Sequence, residues 1–203
     1  VRGARLYARH RLLYPPLSAP SASERRVVVT SVLRQASHPE SGRKDHKNSV
    51  GILGNMEIKR ITSDKKQFLD LLLLADEQES MIDTYLERGE MFALHDDGLK
   101  AIAVVTREGE RIYEIKSIAV YPAFQRQGYG KRLIDYLCAY YRDRCSVMFV
   151  GTGDTASALS FYEHCGFRVS HRVKDFFTNN YDHPVFDDGK LLADMVYLRK
   201  DFA

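Results

Sequence analysis

The chain has 203 residues, enough for one domain with a sizeable hydrophobic core, and 44% of its residues are hydrophobic. The longest apolar run, 68–75, is broken by Asp70 and is far too short to span a bilayer, so we expect no membrane segment. Its three cysteines show no CxxC or paired Cys/His spacing, which disfavours disulfides and structural zinc. With no secretory signal in view, we expect a cytoplasmic location and no metal.

Charge divides the sequence near residue 55. Residues 1–55 carry 10 Lys and Arg against 3 Asp and Glu, whereas residues 56–203 carry 20 against 24. Because the basic excess lies outside the second part, we expect no general nucleic-acid-binding surface there. Residues 1–55 also hold four of the six prolines and show no sustained periodicity beyond 27–32.

We therefore predict that residues 1–55 are a basic, Pro/Ser/Arg-rich appendage and that residues 56–203 form the folded domain. Met56 begins a clean strand pattern and is a natural start for that domain. Three origins stay open for the appendage: translated upstream or vector sequence, an Arg-rich targeting peptide, or an arm that packs on a partner.

Periodicity and turn residues predict the element order β-α-α-β-β-β-α-β-α-β-β. After the first strand, one helix contains Phe68 to Leu73, and a second short helix contains Met81 to Leu86 and ends at Gly89. Two strands then form a hairpin around the turn Asp96-Asp97-Gly98.

The second half alternates strands and helices. A strand over 111–120 precedes a helix that ends near Arg144, and a buried strand covers 146–150. A helix over 155–164 is closed by Gly166, and the last two strands are predicted over 167–173 and 190–200.

The stretch 118–134 joins an apolar strand to a helix through a loop that contains Gly128 and Gly130. Glycine lets the backbone turn sharply and bring its N–H groups close to a ligand. The N–H groups of a first helical turn have no partner within the helix, and the helix dipole favours negative charge there. Side-chain cations surround the same point, namely Arg126, Lys131 and Arg132. The spacing predicts a site for phosphate or pyrophosphate.

Two common phosphate-binding signatures fail here. A P-loop requires Ser or Thr after Gly-Lys, where this chain has Arg132, and a dinucleotide fingerprint requires a third glycine where Leu133 stands. Instead, Gln125-x-x-Gly128-x-Gly130 after a Val-x-Pro strand end resembles the acyl-CoA loop of the GNAT N-acetyltransferase family, bacterial small-molecule type. On this loop alone, a plain glycine turn before an amphipathic helix is the alternative.

The resemblance covers the chain from about Met56 to Phe202. It implies an α/β (α+β) GNAT fold, with a mixed, mostly antiparallel central sheet of about seven strands flanked by four helices. It also implies acetyl-CoA as cosubstrate, with loop amides on the pyrophosphate and the preceding strand along the pantetheine arm. The cofactor-binding residues expected on this basis are Ile118, Ala119, Val120, Gln125, Arg126, Gln127, Gly128, Tyr129, Gly130, Lys131, Asp154 and Thr155.

Acetyl transfer from a thioester to an amine needs a proton acceptor, an oxyanion donor and an acid for the leaving thiolate. The segment 158–167 is similar to the GNAT segment that ends in Tyr-x-x-x-Gly-Phe, which makes Tyr162 the candidate acid. Glu114 matches the strand position of a GNAT glutamate that accepts the amine proton through water. Its alternative is a strand-surface carboxylate paired with Lys116. The backbone N–H near Ile118 is the expected oxyanion donor.

Two further features belong to the last helix. Asp154 and Thr155 stand where the family often has Asn, and their side chains could cap the helix or reach the cofactor. Cys165 and His164 are adjacent on a helix, so their side chains diverge, which disfavours a cysteine nucleophile.

The loop 175–189 is longer than the ~2–5 residues that a hairpin needs, and it is rich in aromatic and acidic residues. It resembles a loop of a subgroup of bacterial GNAT proteins and could form a wall or lid of the amine site. We expect Tyr181, Asp182 and His183 to bind substrate, with simple packing as the alternative. Acids between the first two helices would suit a cationic amine: Asp76, Glu77, Glu79 and Asp83.

The resulting hypothesis is an acetyl-CoA-dependent N-acetyltransferase acting by direct transfer on a small cationic amine, such as a polyamine or an aminoglycoside-like molecule. The alternatives are a peptide or protein amine as acceptor, and a non-catalytic module that senses acyl-CoA. The sequence does not decide whether the chain forms a homodimer.

Overall fold

A computed structural model describes residues 56–202, so the interpretation of residues 1–55 as an appendage lies outside the described part of the chain. The strands are β1 (Glu57–Ile61), β2 (Glu90–His95), β3 (Leu99–Gly109), β4 (Ile112–Val120), β5 (Val147–Gly153), β6 (Arg168–Val173), β7 (Phe186–Asp187), β8 (Lys190–Leu191) and β9 (Met195–Asp201). Seven of them form one sheet in the order β1-β2-β3-β4-β5-β9-β6, and β7 and β8 form a separate hairpin.

Five α-helices accompany the sheet within residues 56–202. They are α1 (Leu69–Ala75), α2 (Glu79–Asp83), α3 (Tyr129–Tyr141), α4 (Ala156–His164) and α5 (Phe176–Asn180). In α3 the buried residues Leu133, Ile134, Leu137 and Tyr141 follow the apolar spacing of an amphipathic helix. The architecture therefore matches the predicted mixed sheet, with α5 as one helix more than the sequence pattern indicated.

Strand β4 separates two parts of the hydrophobic core. Successive side chains of a strand point to opposite faces of the sheet. Ile118 and Val120 accordingly pack with residues of α3 and α4, whereas Ala119 packs with residues of α1. A third cluster joins Phe177 of α5 to Phe149 of β5. We call the first side the α3–α4 face and the opposite side the α1–α2 face.

Strands β4 and β5 are parallel and stay paired only over part of their length. Their register runs from Ile112–Val147 to Ile115–Val150, while β4 continues to Val120 beside β3. On its other edge β5 pairs with β9 over its whole length, from Val147 to Gly153. The two central strands thus diverge beyond Ile115, and one edge of β4 is left without a strand partner there.

The second predicted helix is shorter than the sequence pattern suggested. It ends at Asp83, and the chain continues as hydrogen-bonded turns, with the N–H groups of Tyr85 and Leu86 donating to the Ile82 carbonyl. The Lys65 ammonium then donates to the carbonyls of residues 86, 87 and 89. Residue 89 must be glycine because Val104 packs closely against its backbone: an added Cβ would lie 2.5 Å from Val104 Cγ1.

The last strand begins at Met195 and not at Lys190 as predicted. Lys190 and Leu191 pair instead with Asp187 and Phe186 across a turn. At Asp188 and Gly189 the backbone has φ of 49° and 72°, which closes this tight hairpin.

Candidate active site

A cleft lies where β4 ends and α3 begins. Its lining consists of Val120, Phe124, Gln125, Arg126, Gly128, Tyr129, Gly130, Lys131 and Phe161. All of these except Phe124 and Phe161 are residues that the sequence analysis assigns to cofactor binding. Gln127 lies in the same loop, and Ile118 and Ala119 are fully buried in β4 just before it. One cleft thus collects most of the predicted cofactor-binding residues.

Gly128 is the residue before α3 and has a left-handed backbone with φ of 87°. An added Cβ would meet only Arg132 Nε, at 3.9 Å, so glycine is favoured by the dihedral angle and not by lack of space. Arg126 is also left-handed, with φ of 60°. These two residues turn the chain so that the first turn of a 13-residue helix borders the cleft. Its first N–H groups have no acceptor within the helix.

The polar side chains of the loop mostly brace it. Gln125 Nε2 donates to the Val120 carbonyl at 3.1 Å, and Gln127 Nε2 donates to the Ala123 carbonyl at 3.0 Å. Tyr129 Oη donates to Asp96 Oδ2 at 2.8 Å, and Lys131 Nζ pairs with Asp135 at 2.6 Å. Arg126 lines the cleft and forms no ion pair within residues 56–202, whereas Lys131 is paired with Asp135. Of these two cleft cations, Arg126 is therefore the more available to an anion.

The cleft and the unpaired edge of β4 are continuous through Val120. Val120 both lines the cleft and ends the stretch of β4 that has diverged from β5. An anionic group at the start of α3 could therefore be joined to an extended arm that lies along β4 and forms strand-like hydrogen bonds.

Tyr162 lies in the last turn of α4 and is fully buried. It belongs to the same hydrophobic cluster as Ile118 and Val120, and its ring contacts Phe161 and Phe167 edge to face. The turn after α4 fixes the helix end, because the Phe167 N–H donates to the Tyr162 carbonyl at 3.0 Å and Gly166 has φ of 84°. The predicted acid is thus held rigidly on the α3–α4 face.

Glu114 lies in the paired part of β4 and is 2% exposed. Its Oε2 pairs with Lys116 Nζ at 2.8 Å, whereas its Oε1 has no hydrogen-bond partner among residues 56–202. Burial raises the pKa of the Glu114 carboxyl, and the Lys116 ammonium opposes that effect. The carboxylate is therefore paired with Lys116, as the alternative interpretation held, but it is buried and not on the strand surface.

Comparisons with known proteins identify this arrangement. Residues 87–169 match the family model described as acetyltransferase (GNAT) domain. An uncharacterised N-acetyltransferase of Bacillus subtilis, YvbK, is 37% identical over 138 residues, which cover 66% of this chain and 89% of that protein.

The chain belongs to the GNAT acetyltransferase family.

Solved structures support the same assignment. A Bacillus subtilis acetyltransferase in complex with CoA is 34% identical, with a TM-score of 0.67 over 73% of this chain and all of that one. A GNAT acetyltransferase from Elizabethkingia anophelis with acetyl-CoA bound is 31% identical, with a TM-score of 0.69 over 73% of this chain and 99% of that one. The predicted GNAT fold is confirmed, and the chain is an acyltransferase.

Asp154 and Thr155 of this GNAT chain are held by other contacts. Thr155 is the residue before α4, but neither side chain caps the helix, which corrects that expectation. Thr155 Oγ1 donates instead to Asp187 Oδ2 at 2.8 Å. Asp154 forms an ion pair with Arg172 at 2.8 Å, and this hydrogen bond lowers the pKa of its carboxyl. The cleft at the start of α3 does not include either residue.

Tyr181, Asp182 and His183 pack across the connection between α1 and α2. Tyr181 Oη donates to Asp76 Oδ1 at 3.1 Å, and the Asp182 N–H donates to Gln78 Oε1 at 3.3 Å. His183 Nε2 lies 3.5 Å from Glu77 Oε2. The three predicted substrate-side residues therefore lie on the α1–α2 face, away from the residues that line the glycine cleft.

The acids between the first two helices do not form one patch. Glu79 and Asp83 both pair with Lys66, at 2.7 and 2.8 Å, and their side chains are about half exposed. Asp76, by contrast, is fully buried. Burial raises the pKa of its carboxyl to about 7, against the hydrogen bond from Tyr181.

Sequence reasoning missed two polar residues beside Asp76. The sequence pattern places Tyr85 within the second helix and does not single out Ser117, yet both are fully buried, and their hydroxyls have no hydrogen-bond partner among residues 56–202. The one available signal was the run of polar residues Glu114, Lys116 and Ser117 among the apolar residues of the strand.

Within residues 56–202, no group of three or more His, Cys, Asp or Glu side chains is placed to hold a metal ion. In the same part of the chain, every helix is too short or too polar to cross a membrane.

Proposed function

We propose that this GNAT chain is an N-acetyltransferase that moves an acetyl group from acetyl-CoA to the primary amine of a small cationic molecule, by direct transfer in a ternary complex. The observation that carries the proposal is the continuity between the glycine loop at α3 and the edge of β4 beyond Ile115. We further place the protein in the cytoplasm, since its three cysteines are free thiols.

The residues of the cleft fit acetyl-CoA. The N–H groups at the start of α3, with Arg126 and Lys131, suit a diphosphate, and the edge of β4 suits the amide groups of a pantetheine arm. The Bacillus subtilis and Elizabethkingia anophelis relatives, crystallised with CoA and acetyl-CoA, support this choice of cosubstrate. When bound, it supplies the activated acetyl group.

Three groups of this chain are assigned to the transfer. Tyr162 would donate a proton to the departing thiolate, and a backbone N–H near Ile118 would stabilise the oxyanion. Glu114 would accept the amine proton through water. Its carboxylate is buried with one oxygen unsatisfied, and burial raises its pKa, which makes it a stronger base than an exposed carboxylate.

Release of CoA thiol from acetyl-CoA tests the proposal on a panel of polyamines, aminoglycosides, simple monoamines, amino acids and basic peptides. Gly128→Glu places a carboxylate at the proposed phosphate position and should abolish turnover. Gly189→Glu is the matched control, since Gly189 also has positive φ but lies in the β7–β8 turn with no atom near its Cβ position.

Turnover on an amine that Gly128→Glu abolishes and Gly189→Glu keeps would support the proposal and identify the acceptor class. Acetyl-CoA binding without turnover on any member of the panel would favour the sensor alternative instead. Turnover on peptides alone would contradict the small-molecule assignment.

A further inference from the structure

Four polar side chains meet on the α1–α2 face. They come from four separate segments: Asp76 follows α1, Tyr85 follows α2, Ser117 lies in β4 and Tyr181 follows α5. The first three are fully buried, and Tyr181 is 8% exposed. We call this group the Asp76 pocket.

The hydrogen bonds of the pocket are incomplete. Asp76 Oδ1 accepts from the Tyr181 hydroxyl at 3.1 Å, and the Gln78 N–H donates to the same oxygen at 3.4 Å. Asp76 Oδ2, Tyr85 Oη and Ser117 Oγ have no hydrogen-bond partner among residues 56–202. Buried polar atoms are nearly always paired, so three unpaired ones in one group point to a missing partner.

The three unpaired groups are neighbours. Burial, followed by the nearby Asp76 carboxylate, raises the pKa of the Tyr85 phenol well above its usual value, and the Ser117 hydroxyl opposes this shift. Ser117 Oγ and Tyr85 Oη are thus close but outside normal hydrogen-bond geometry. A carboxylate oxygen and two hydroxyl groups can together accept the several N–H donors of one amino group.

Charge also favours an amine. Other buried or partly buried acids of the domain already have cations beside them: Glu114 pairs with Lys116, Glu108 pairs with Arg88, and Glu77 lies beside His183. Asp76 has no Lys, Arg or His within ion-pair distance in residues 56–202. Burying a carboxylate without a cation is strongly destabilising. A cationic ligand would offset that cost, so its binding there would be favourable.

The pocket lies beside the divergence of the central strands. Ser117 comes two residues after the last β4–β5 pair and next to Ile118, and its side chain shares the α1–α2 face with Ala119. Tyr162 and the glycine cleft lie on the other face. An amine in the Asp76 pocket would therefore approach the gap between β4 and β5 from the side opposite to Tyr162.

We propose that Asp76, Tyr85 and Ser117 form the pocket that receives the amino group of the acceptor, with Asp76 supplying the counter-charge and selecting amines over neutral analogues. This inference rests on the proposed acetyltransferase function and narrows its acceptor to an amine with one cation on an apolar body. The nearby side chains of Met81, Phe177 and Tyr181 suit such a body, whereas a polyamine would need further unpaired carboxylates.

Access to the pocket depends on the segment that follows α5. Tyr181 contacts Asp76, and its neighbours Asp182 and His183 contact Gln78 and Glu77. The acceptor reaches Asp76 when these contacts separate. The predicted substrate-side residues thus act as the cover of the pocket, with Tyr181 also part of its wall.

Binding to the full chain saturated with CoA tests the inference without requiring turnover. The probes are 2-phenylethylamine, its neutral analogue 2-phenylethanol, and spermidine, titrated by calorimetry. Asp76→Asn keeps an oxygen for the Tyr181 hydroxyl and removes the charge. Asp83→Asn is the matched control, because Asp83 is an exposed carboxylate of the adjacent α2 that pairs with Lys66.

We expect Asp76→Asn to weaken 2-phenylethylamine binding roughly tenfold or more, and to leave 2-phenylethanol and CoA binding unchanged. Asp83→Asn should leave all of them unchanged. The inference is overturned if Asp76→Asn and Asp83→Asn lose the same affinity for 2-phenylethylamine. It is also overturned if the wild type binds the amine and the alcohol with equal affinity. Spermidine binding more tightly than 2-phenylethylamine overturns the single-cation assignment.

Tyr85→Phe keeps the test decisive if Asp76→Asn fails to fold. It removes one hydroxyl from the pocket at nearly constant volume and should weaken amine binding severalfold, and unchanged binding overturns the inference.

In turnover on an accepted amine, Asp76→Asn should raise KM for the amine and leave KM for acetyl-CoA unchanged. Failure of all turnover with intact amine binding would count against the proposed function and not against the pocket.

Discussion

Tyr162 is the residue whose assigned role is easiest to isolate. Its burial and its ring contacts with Phe161 and Phe167 do not depend on the hydroxyl, so Tyr162→Phe should fold normally. If the phenol protonates the leaving thiolate, kcat should fall roughly 10²-fold with KM for acetyl-CoA unchanged. The control is Tyr136→Phe, which removes the hydroxyl of a half-buried tyrosine of α3. Steady-state kinetics compares kcat and KM of the two variants with those of the wild type. Equal kcat in the wild type and Tyr162→Phe would remove this residue from the mechanism.

Glu114 and Glu108 can be compared directly because both approach Lys116, at 2.8 and 3.8 Å. We predict that Glu114→Gln lowers kcat roughly 10²-fold and removes the rising limb of its pH profile, because the base must be ionised to accept a proton. Glu108→Gln also removes a negative charge near Lys116 but should keep both kcat and the limb. The measurement is kcat from pH 5.5 to 9 for the two variants. Similar losses in both would mean that Glu114 acts only through its ion pair.

Asp76 makes stability depend on pH in a definite direction. Its carboxyl ionises near pH 4 in the unfolded chain, whereas burial raises its pKa to about 7 in the native state. Between these values the native state holds a proton that the unfolded state has lost, so this contribution to stability is full below pH 4 and is lost as pH rises through 7. Relative to Asp76→Asn, the wild type should lose up to about 4 kcal/mol over that window. Urea unfolding of both proteins from pH 4.5 to 8 measures it, and parallel curves would contradict the prediction.

At the scale of elements, the junction between β4 and α3 depends on the backbone of Gly128. Gly128→Ala requires a side chain at φ of 87° and should destabilise the fold by about 1 kcal/mol, or else shift the loop. Because the first turn of α3 borders the cleft, we expect KM for acetyl-CoA to rise with kcat little changed. Gly189→Ala has the same strain, at φ of 72°, and lies in a hairpin away from the cleft. Equal KM values in the two variants would show that the geometry of Gly128 does not matter for the cofactor.

The elements that could be predicted from the sequence are those fixed by local pattern. The glycine loop and α3 occupy adjacent positions in the chain, so spacing alone located both. The end of α2 could not be predicted, because Tyr85 and Leu86 have helical apolar spacing but lie in turns whose carbonyls bind Lys65. The start of β9 was also missed, since Lys190 and Leu191 pair within a hairpin and not with the sheet.

At the scale of the whole molecule, the cleft was predictable and the Asp76 pocket was not. Most of the cleft comes from one continuous stretch, whereas Asp76 and Tyr181 are 105 residues apart in sequence. The acidic composition between α1 and α2 suggested a cationic ligand, but it gave equal weight to Glu79 and Asp83, which pair with Lys66. Only the fold distinguishes the buried, unpaired carboxylate from those that ion pairs already neutralise.

The placement of the two candidate sites on opposite faces of one sheet predicts the kinetic mechanism. The glycine cleft lies with α3 and α4, and the Asp76 pocket lies with α1 and α2, so both substrates can be bound together. The alternative, an acetyl-cysteine intermediate, would require an ionised thiol. Burial raises the pKa of the Cys165 thiol to about 11, so the thiolate is scarce at neutral pH. We therefore expect intersecting double-reciprocal lines when acetyl-CoA is varied at several fixed acceptor concentrations. Cys165→Ala should retain the wild-type kcat per folded molecule, and parallel lines together with an inactive Cys165→Ala variant would replace direct transfer by a two-step mechanism.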